Sequence, residues 1–191
     1  MKQLGGRYLE VEELRSLGFL KVGQNAKVHS SAHIYGVENV QLGDNCRIDD
    51  FALIVASGEL IIGNHVSIHS HCFIGSKYGI SLGNFTTLAP GVKIFSSSDD
   101  YSGKFMTGPT ISDVFTGGEK GCVTIGQHVI IGAGSIILPG VTISDGVSVG
   151  SLSLVKKDLT KWTIFGGIPA RKIKKRSQNL LKLAEKLFER D

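Results

Sequence analysis

The sequence predicts an all-β solenoid assembled from hexapeptide repeats, on three observations. Aliphatic residues recur every six positions in six triples: Val22, Val28, Ile34; Leu42, Ile48, Ile54; Ile62, Ile68, Ile74; Leu82, Leu88, Ile94; Ile125, Ile131, Ile137; and Ile143, Val149, Val155. The first four triples start twenty residues apart. Glycine makes up 25 of the 191 residues, 13%, about twice the usual ~7%. A sandwich of alternating strands would instead show period two with turn signals every ~8–12 residues.

Each six-residue unit reads as a short strand plus a corner, and three units close one triangular coil. Four positions after each marked residue the side chain is usually small, as at Ala26, Cys46, Ala52, Cys72, Val92, Ser135 and Ser153. One large and one small inward group per unit would fill the interior. Coils stacked about 4.8 Å apart satisfy their main chains in parallel ladders. Glycine after the marked residue, at 23, 43, 63, 83, 126, 132 and 150, is expected to relieve the corners.

The chain divides into an N-terminal cap with a short helix (1–21), the solenoid (22–160) and a C-terminal basic segment with a helix (161–191). Leu9 to Leu17, closed by Gly18, reads as the first helix. The third unit of the early coils has eight residues, as from Ile34 to Gln41, and the fourth coil carries about two dozen more at the same corner. This long loop (95–124), rich in Ser, Gly, Asp and Thr, interrupts a regular solenoid and is expected to be functional. Ser177 to Arg190 reads as an amphipathic helix with Leu180, Leu181, Leu183, Ala184, Leu187 and Phe188 on one stripe, set to pack on the solenoid or a neighbouring subunit.

Residues twenty apart lie one above another. One outward column reads His29, Asp49, His69, Ala89, so Asp49 one rung below His69 can hold the imidazole's second nitrogen and prepare it as a general base. The next column reads Ser30, Asp50, Ser70, Pro90, with His71 nearer the corner. His65 and His128 fall at turns and read as structural. In the long loop, Ser96-Ser97-Ser98-Asp99-Asp100-Tyr101 could hold a polar acceptor such as a sugar. Asp99, Asp100, Asp50, His71 and Tyr101 are therefore the candidate acceptor-binding residues.

Charge is divided unevenly. Residues 1–155 carry 10 basic and 13 acidic side chains, net −3, whereas 156–191 carry 11 and 4, net +7. The basic run Arg171-Lys172-Ile173-Lys174-Lys175-Arg176 lacks interleaved aromatics, so an anionic small molecule fits it better than nucleic acid. Cys46 and Cys72 occupy inward slots, and the three cysteines form no CxxC pair, against a disulfide framework or a cysteine metal site. No run of ~18 apolar residues and no leader-like apolar block is present, so a cytoplasmic protein is expected.

The stretches IGQHVIIGAGSIILPGVTI (125–143), VGSLSLVKKDL (149–159) and GGIPARKIKK (166–175) resemble the galactoside and maltose O-acetyltransferases of the hexapeptide-repeat family. RIDDFAL (47–53) and SSSDDYSG (96–103) look like the branch that modifies lipopolysaccharide or capsule sugars. The resemblance implies a left-handed parallel β-helix, a homotrimer with sites between solenoids, and acetyl-CoA as donor without a metal. It further implies a pantetheine arm running past Gly132, Ala133, Gly150 and Ser151, with nucleotide phosphates at Lys156, Lys157, Arg171 and Lys174.

The chain departs from that pattern in one respect. Galactoside-type enzymes carry their catalytic histidine in the long loop, where this chain has Asp99-Asp100. Either His69 with Asp49 substitutes across an interface, or a loop carboxylate does so; we favour His69. The leading expectation is transfer of an acetyl group to a sugar hydroxyl in cell-surface polysaccharide synthesis. The first alternative is N-acetylation of a nucleotide-linked amino sugar. A metal enzyme of the γ-carbonic-anhydrase type, which six histidines permit, and a non-catalytic scaffold are further alternatives.

Overall fold

The computed structural model describes residues 5–189. The chain winds as a left-handed parallel β-helix of about seven turns with three faces. Face one runs from Lys21–Val22 to Thr142–Ile143 and face three from His33–Tyr35 to Leu154–Val155, each with six strands. Face two has nine strands, because antiparallel pieces at both ends, Tyr8–Leu9 and Arg171–Lys175, extend its seven parallel strands.

The register follows the repeat. Val28, Ile48, Ile68 and Leu88 pair in succession, and Leu88 then pairs with Ile131 across the long loop. Of the eighteen marked residues, all but Val22 and Ile34 in the first coil are buried. Each fully buried aliphatic side chain is worth roughly 1.5–3 kcal/mol, so this column is the core. Polar residues in small slots are satisfied internally: Thr86 Oγ1 donates to the Gly126 carbonyl and Ser135 Oγ to that of Gly150. Among the described residues no buried side-chain nitrogen or oxygen lacks a partner.

Gly43, one of the glycines that follow a marked residue, serves a different purpose from the one expected. Gly43 has an ordinary φ, but a Cβ there would lie 2.5 Å from the Gly63 carbonyl carbon and 2.6 Å from its oxygen. Close approach of successive coils excludes a side chain at this corner. The left-handed positions on this edge are held by Asn25, Asn45, His65, Phe85, His128, Gly146 and Trp162, with φ of 51–67°. The rings of His65, Phe85 and His128 stack at 4.8 and 4.9 Å, which places both histidines in the structural role the turns suggest.

The flanking elements differ in detail. Helix α1 spans Val11–Ser16, while Leu9 is drawn into a strand opposite Val28 on the first coil. Parallel winding continues past residue 160: Leu159 bridges Ile143, and Phe165 pairs with Val149. Helix α2 spans Asn179–Phe188; Ser177 stays outside it and accepts a hydrogen bond from the Asn179 N–H at 3.2 Å. Arg190, the expected end of that helix, and the first four residues of the 1–21 cap lie outside the described residues. Helix α2 covers part of face two and borders a groove of about 400 Å³, leaving Leu183 and Leu187 exposed.

Candidate functional site

The edge between faces two and three collects most of the expected site residues, because each coil turns there directly after its face-two strand. Going up this edge the rungs carry Asp49-Asp50, His69-Ser70, Ala89-Pro90, Gly132-Ala133 and Gly150-Ser151. Asp49 lies one rung below His69, and its Oδ2 is 3.1 Å from His69 Nδ1. The Asp49 side chain is 11% exposed and that of His69 31%, so the carboxylate is held inside while the imidazole meets solvent. Nε2 of His69 receives no hydrogen bond from the described residues.

Sequence reasoning missed two partners of Asp49. Arg47 donates to Oδ2 from Nη2 at 3.1 Å and ion-pairs with Oδ1 through Nε at 2.9 Å, and the Tyr8 hydroxyl donates to Oδ1 at 2.7 Å. Burial first, and then the Asp49 carboxylate, push the Tyr8 hydroxyl above its ordinary pKa. The alternation of face two would have put Arg47 beside Asp49. Nothing in the repeat signals Tyr8, which arrives from outside the solenoid.

The other acceptor candidates divide. Asp50 Oδ1 accepts from Ser70 Oγ at 2.5 Å, and His71 sits at the corner stacked on Phe51 at 5.3 Å. The long loop leaves from the edge between faces three and one, after Lys93–Phe95, so one chain does not bring His69 and the loop carboxylates together. Within the loop, Asp100 is not free for a ligand. It accepts hydrogen bonds from Ser102 N and Oγ, Lys104 N and Phe105 N, and these hold its carboxyl below the usual range. Ser96 is fully buried and fixes the preceding corner, accepting from the N–H groups of Lys77 and Tyr78. Asp99 is exposed and accepts from Ser98 Oγ only through its main-chain carbonyl, at 3.3 Å, and Tyr101 is 93% exposed.

At the C-terminal end, Lys156, Lys157 and Arg171 line one cavity of about 380 Å³ together with Lys172, which belongs to the basic run but not to the four phosphate contacts the resemblance implied. Lys174 is not among its lining residues; it lies farther along the last strand, opposite Ile164. Arg176 is committed elsewhere, donating to the carbonyls of His128, Gly146 and Val147 at 2.7–3.2 Å. Four cations around one cavity suit a polyanion such as a nucleotide phosphate tail.

Burial pushes the Cys46 thiol up to about 12 and the Cys72 thiol up to about 11, so neither supplies a thiolate nucleophile. Among the described residues no three His, Cys, Asp or Glu side chains gather to hold a metal ion. No described helix is long and apolar enough to cross a membrane.

A three-faced solenoid with a histidine–carboxylate pair on one edge and a cation-lined cavity at its end has the layout of a coenzyme-A-thioester acyltransferase. No family model matches the chain. A dTDP-4-amino-4,6-dideoxy-D-glucose acyltransferase from Escherichia coli is 39% identical over 177 residues, covering 92% of each chain. The chain therefore belongs to the hexapeptide-repeat β-solenoid acyltransferase family.

Among solved structures, AntD, an N-acyltransferase from Bacillus cereus, matches with a TM-score of 0.94 and 36% identity over 98% of this chain and 100% of that one. That structure is a serine-to-alanine variant in complex with dTDP-4-amino-4,6-dideoxyglucose and coenzyme A. A maltose O-acetyltransferase from Clostridium difficile 630 matches with a TM-score of 0.55 and 27% identity, over 87% of this chain and 74% of that one.

Proposed function

We propose that the protein transfers an acyl group from a coenzyme A thioester to the amine of a nucleotide-linked amino sugar, with a dTDP-linked 4-amino-4,6-dideoxy sugar as the first candidate. The observation that carries this reading is the end-to-end likeness to AntD, against a partial likeness to an O-acetyltransferase. The amine alternative thus replaces the hydroxyl acceptor that the sequence put first. Loop composition supports it: a carboxylate such as Asp99 is a weak base for a hydroxyl but a suitable partner for an amine.

In this mechanism the donor's phosphates sit at Lys156, Lys157, Arg171 and Lys172, and its pantetheine arm descends past Gly150-Ser151 and Gly132-Ala133 toward His69. The amine nitrogen attacks the thioester carbonyl, forming a C–N bond, and the C–S bond breaks. His69 Nε2 takes the proton released from nitrogen and passes it to the departing thiolate. Asp49 steadies the imidazolium. Asp99 from the loop of a neighbouring copy in a homotrimer orients the acceptor. An oxyanion forms on the former carbonyl oxygen, and backbone amides along the edge stabilise it.

The experiment is mass spectrometry of acyl transfer by the full-length protein, with acetyl-CoA and 3-hydroxybutyryl-CoA as donors. The acceptors are dTDP-4-amino-4,6-dideoxyglucose and its 4-hydroxy counterpart. The expected product is the amide alone, with one free thiol released per amide. Acylation of the hydroxyl counterpart with equal or higher kcat/KM overturns the reading.

A further inference from the structure

The Asp49 carboxylate lies at the centre of a network that draws on three separate stretches of chain. Arg47, two residues before it on the same strand, makes a two-nitrogen contact at 2.9 and 3.1 Å. His69 approaches from the rung above. Tyr8 comes from the N-terminal strand, which runs antiparallel to the first coil with Tyr8 opposite His29. Its ring stands edge-on to His29, with centroids 5.3 Å apart, and its hydroxyl reaches over the first rung to Asp49 Oδ1 at 2.7 Å.

This arrangement has a chemical consequence. A carboxylate that accepts from Arg47 and Tyr8 cannot rotate away, so it holds an oxygen 3.1 Å from Nδ1 of His69. The imidazole is then fixed as the Nδ1–H tautomer, and Nε2 keeps its lone pair toward solvent, where a substrate proton can be taken. Arg47 alone could hold the carboxylate in plane. Tyr8 occupies the remaining approach to Oδ1, and its raised pKa keeps it a donor through neutral and mildly alkaline pH. The terminal strand is therefore more than an edge cover for face two.

We propose that Tyr8 and Arg47 are positioning residues that fix the Asp49 carboxylate and, through it, the tautomer of His69. The inference deepens the reading of His69 as proton acceptor, but its geometric part stands apart from the identity of the acceptor. It predicts that the N-terminal strand matters to turnover although it touches neither the cation-lined cavity nor the long loop.

The test is Tyr8→Phe, which keeps the ring on His29, and in parallel Arg47→Gln, both in the full chain. Nitrogen NMR of ring-labelled histidine reads the His69 tautomer, and steady-state kinetics reads kcat and KM separately. Both variants are expected to lose part of the Nδ1–H population. kcat should fall about tenfold for Tyr8→Phe and more for Arg47→Gln, with KM for acyl-CoA unchanged. An unchanged tautomer in both variants overturns the proposal, whatever the thermal stability. A shifted tautomer with unchanged kcat upholds the positioning and overturns His69 as the proton acceptor.

Discussion

Two glycines on the solenoid separate the packing account of this fold from the conformational one. At Gly43 a Cβ would meet backbone of the next coil at 2.5–2.6 Å, and backbone locked in a ladder cannot give way. At Gly150 the nearest atom to a Cβ is the Phe165 carbonyl oxygen at 3.5 Å, an ordinary contact, and neither glycine has a positive φ. Gly43→Ala should therefore cost about 1–3 kcal/mol, the usual range for overpacking. In a chain of this length that lowers Tm by about 2–12 °C. Gly150→Ala should instead gain about 0.4–1 kcal/mol, because it restricts the unfolded chain while fitting the folded one. Its Tm should rise by about 1–4 °C. Calorimetry on the two variants checks the sign, and equal destabilisation would refute close coil approach as the reason for the glycines. Gly150→Ala also probes the donor lane. A stable variant whose KM for acyl-CoA rises severalfold supports a pantetheine arm at that rung, whereas an unchanged KM moves the arm elsewhere.

Two further outcomes follow from individual side chains. Burial, and secondarily Arg176, lower the pKa of His128, with Asp145 opposing. The folded state thus favours the neutral ring, and stability is lost as pH falls below about 6.5, the loss being complete once pH is below the folded-state pKa. His128→Phe keeps the ring stack with Phe85 and removes the titration, so urea melts should show the variant gaining on the parent as pH drops; parallel slopes would refute this. In the long loop, Asp100→Asn keeps one acceptor oxygen where two now serve Ser102, Lys104 and Phe105, and should raise the rate of limited proteolysis there. Asp99→Asn should leave proteolysis unchanged and raise the acceptor KM about tenfold, the scale of one lost charge-assisted hydrogen bond.

What the sequence made legible was whatever the repeat controls. A period of twenty residues places Asp49 under His69 as surely as it places Ile48 under Ile68, because one ladder sets both registers. The repeat says nothing of residues outside it, so Tyr8 was invisible, and Leu9 read as helix because a two-residue antiparallel strand has no period of its own. Short polar residues were the other blind spot. Ser96, Asp99 and Asp100 look alike in a run of hydrogen-bonding groups, yet Ser96 is buried under the preceding corner, Asp100 is spent on its own loop, and Asp99 alone faces outward. Burial decided among them, and burial in an irregular loop has no sequence pattern. Gly43 was read as necessary but for a reason the structure changes, since close approach of a neighbouring coil leaves the same residue choice as a positive φ.

The separation of His69 and Asp99 onto different edges of the prism gives the reaction scheme its sharpest test. If both act on one acceptor, they come from two copies, with the edge between faces two and three of one turned toward the long loop of the next. Such a head-to-tail contact closes into a ring, and every site takes one group from each of two neighbours. His69→Ala should lower kcat by about 10²–10⁴, the usual worth of a general base. Under subsaturating acceptor, Asp99→Asn should be impaired through KM. When the two variants are co-expressed in equal amounts and mix at random, an intact site needs His69 from an Asp99→Asn chain and Asp99 from a His69→Ala chain. Each has a chance of one half, so about a quarter of the sites recover. Purification through tags on both variants removes the unmixed oligomers, and each mixed trimer holds one intact site of three, so activity near a third of the parent's supports the shared site. Activity no higher than the mean of the two variants alone means that the two residues do not meet across an interface, and Asp99 then loses its place beside the acceptor.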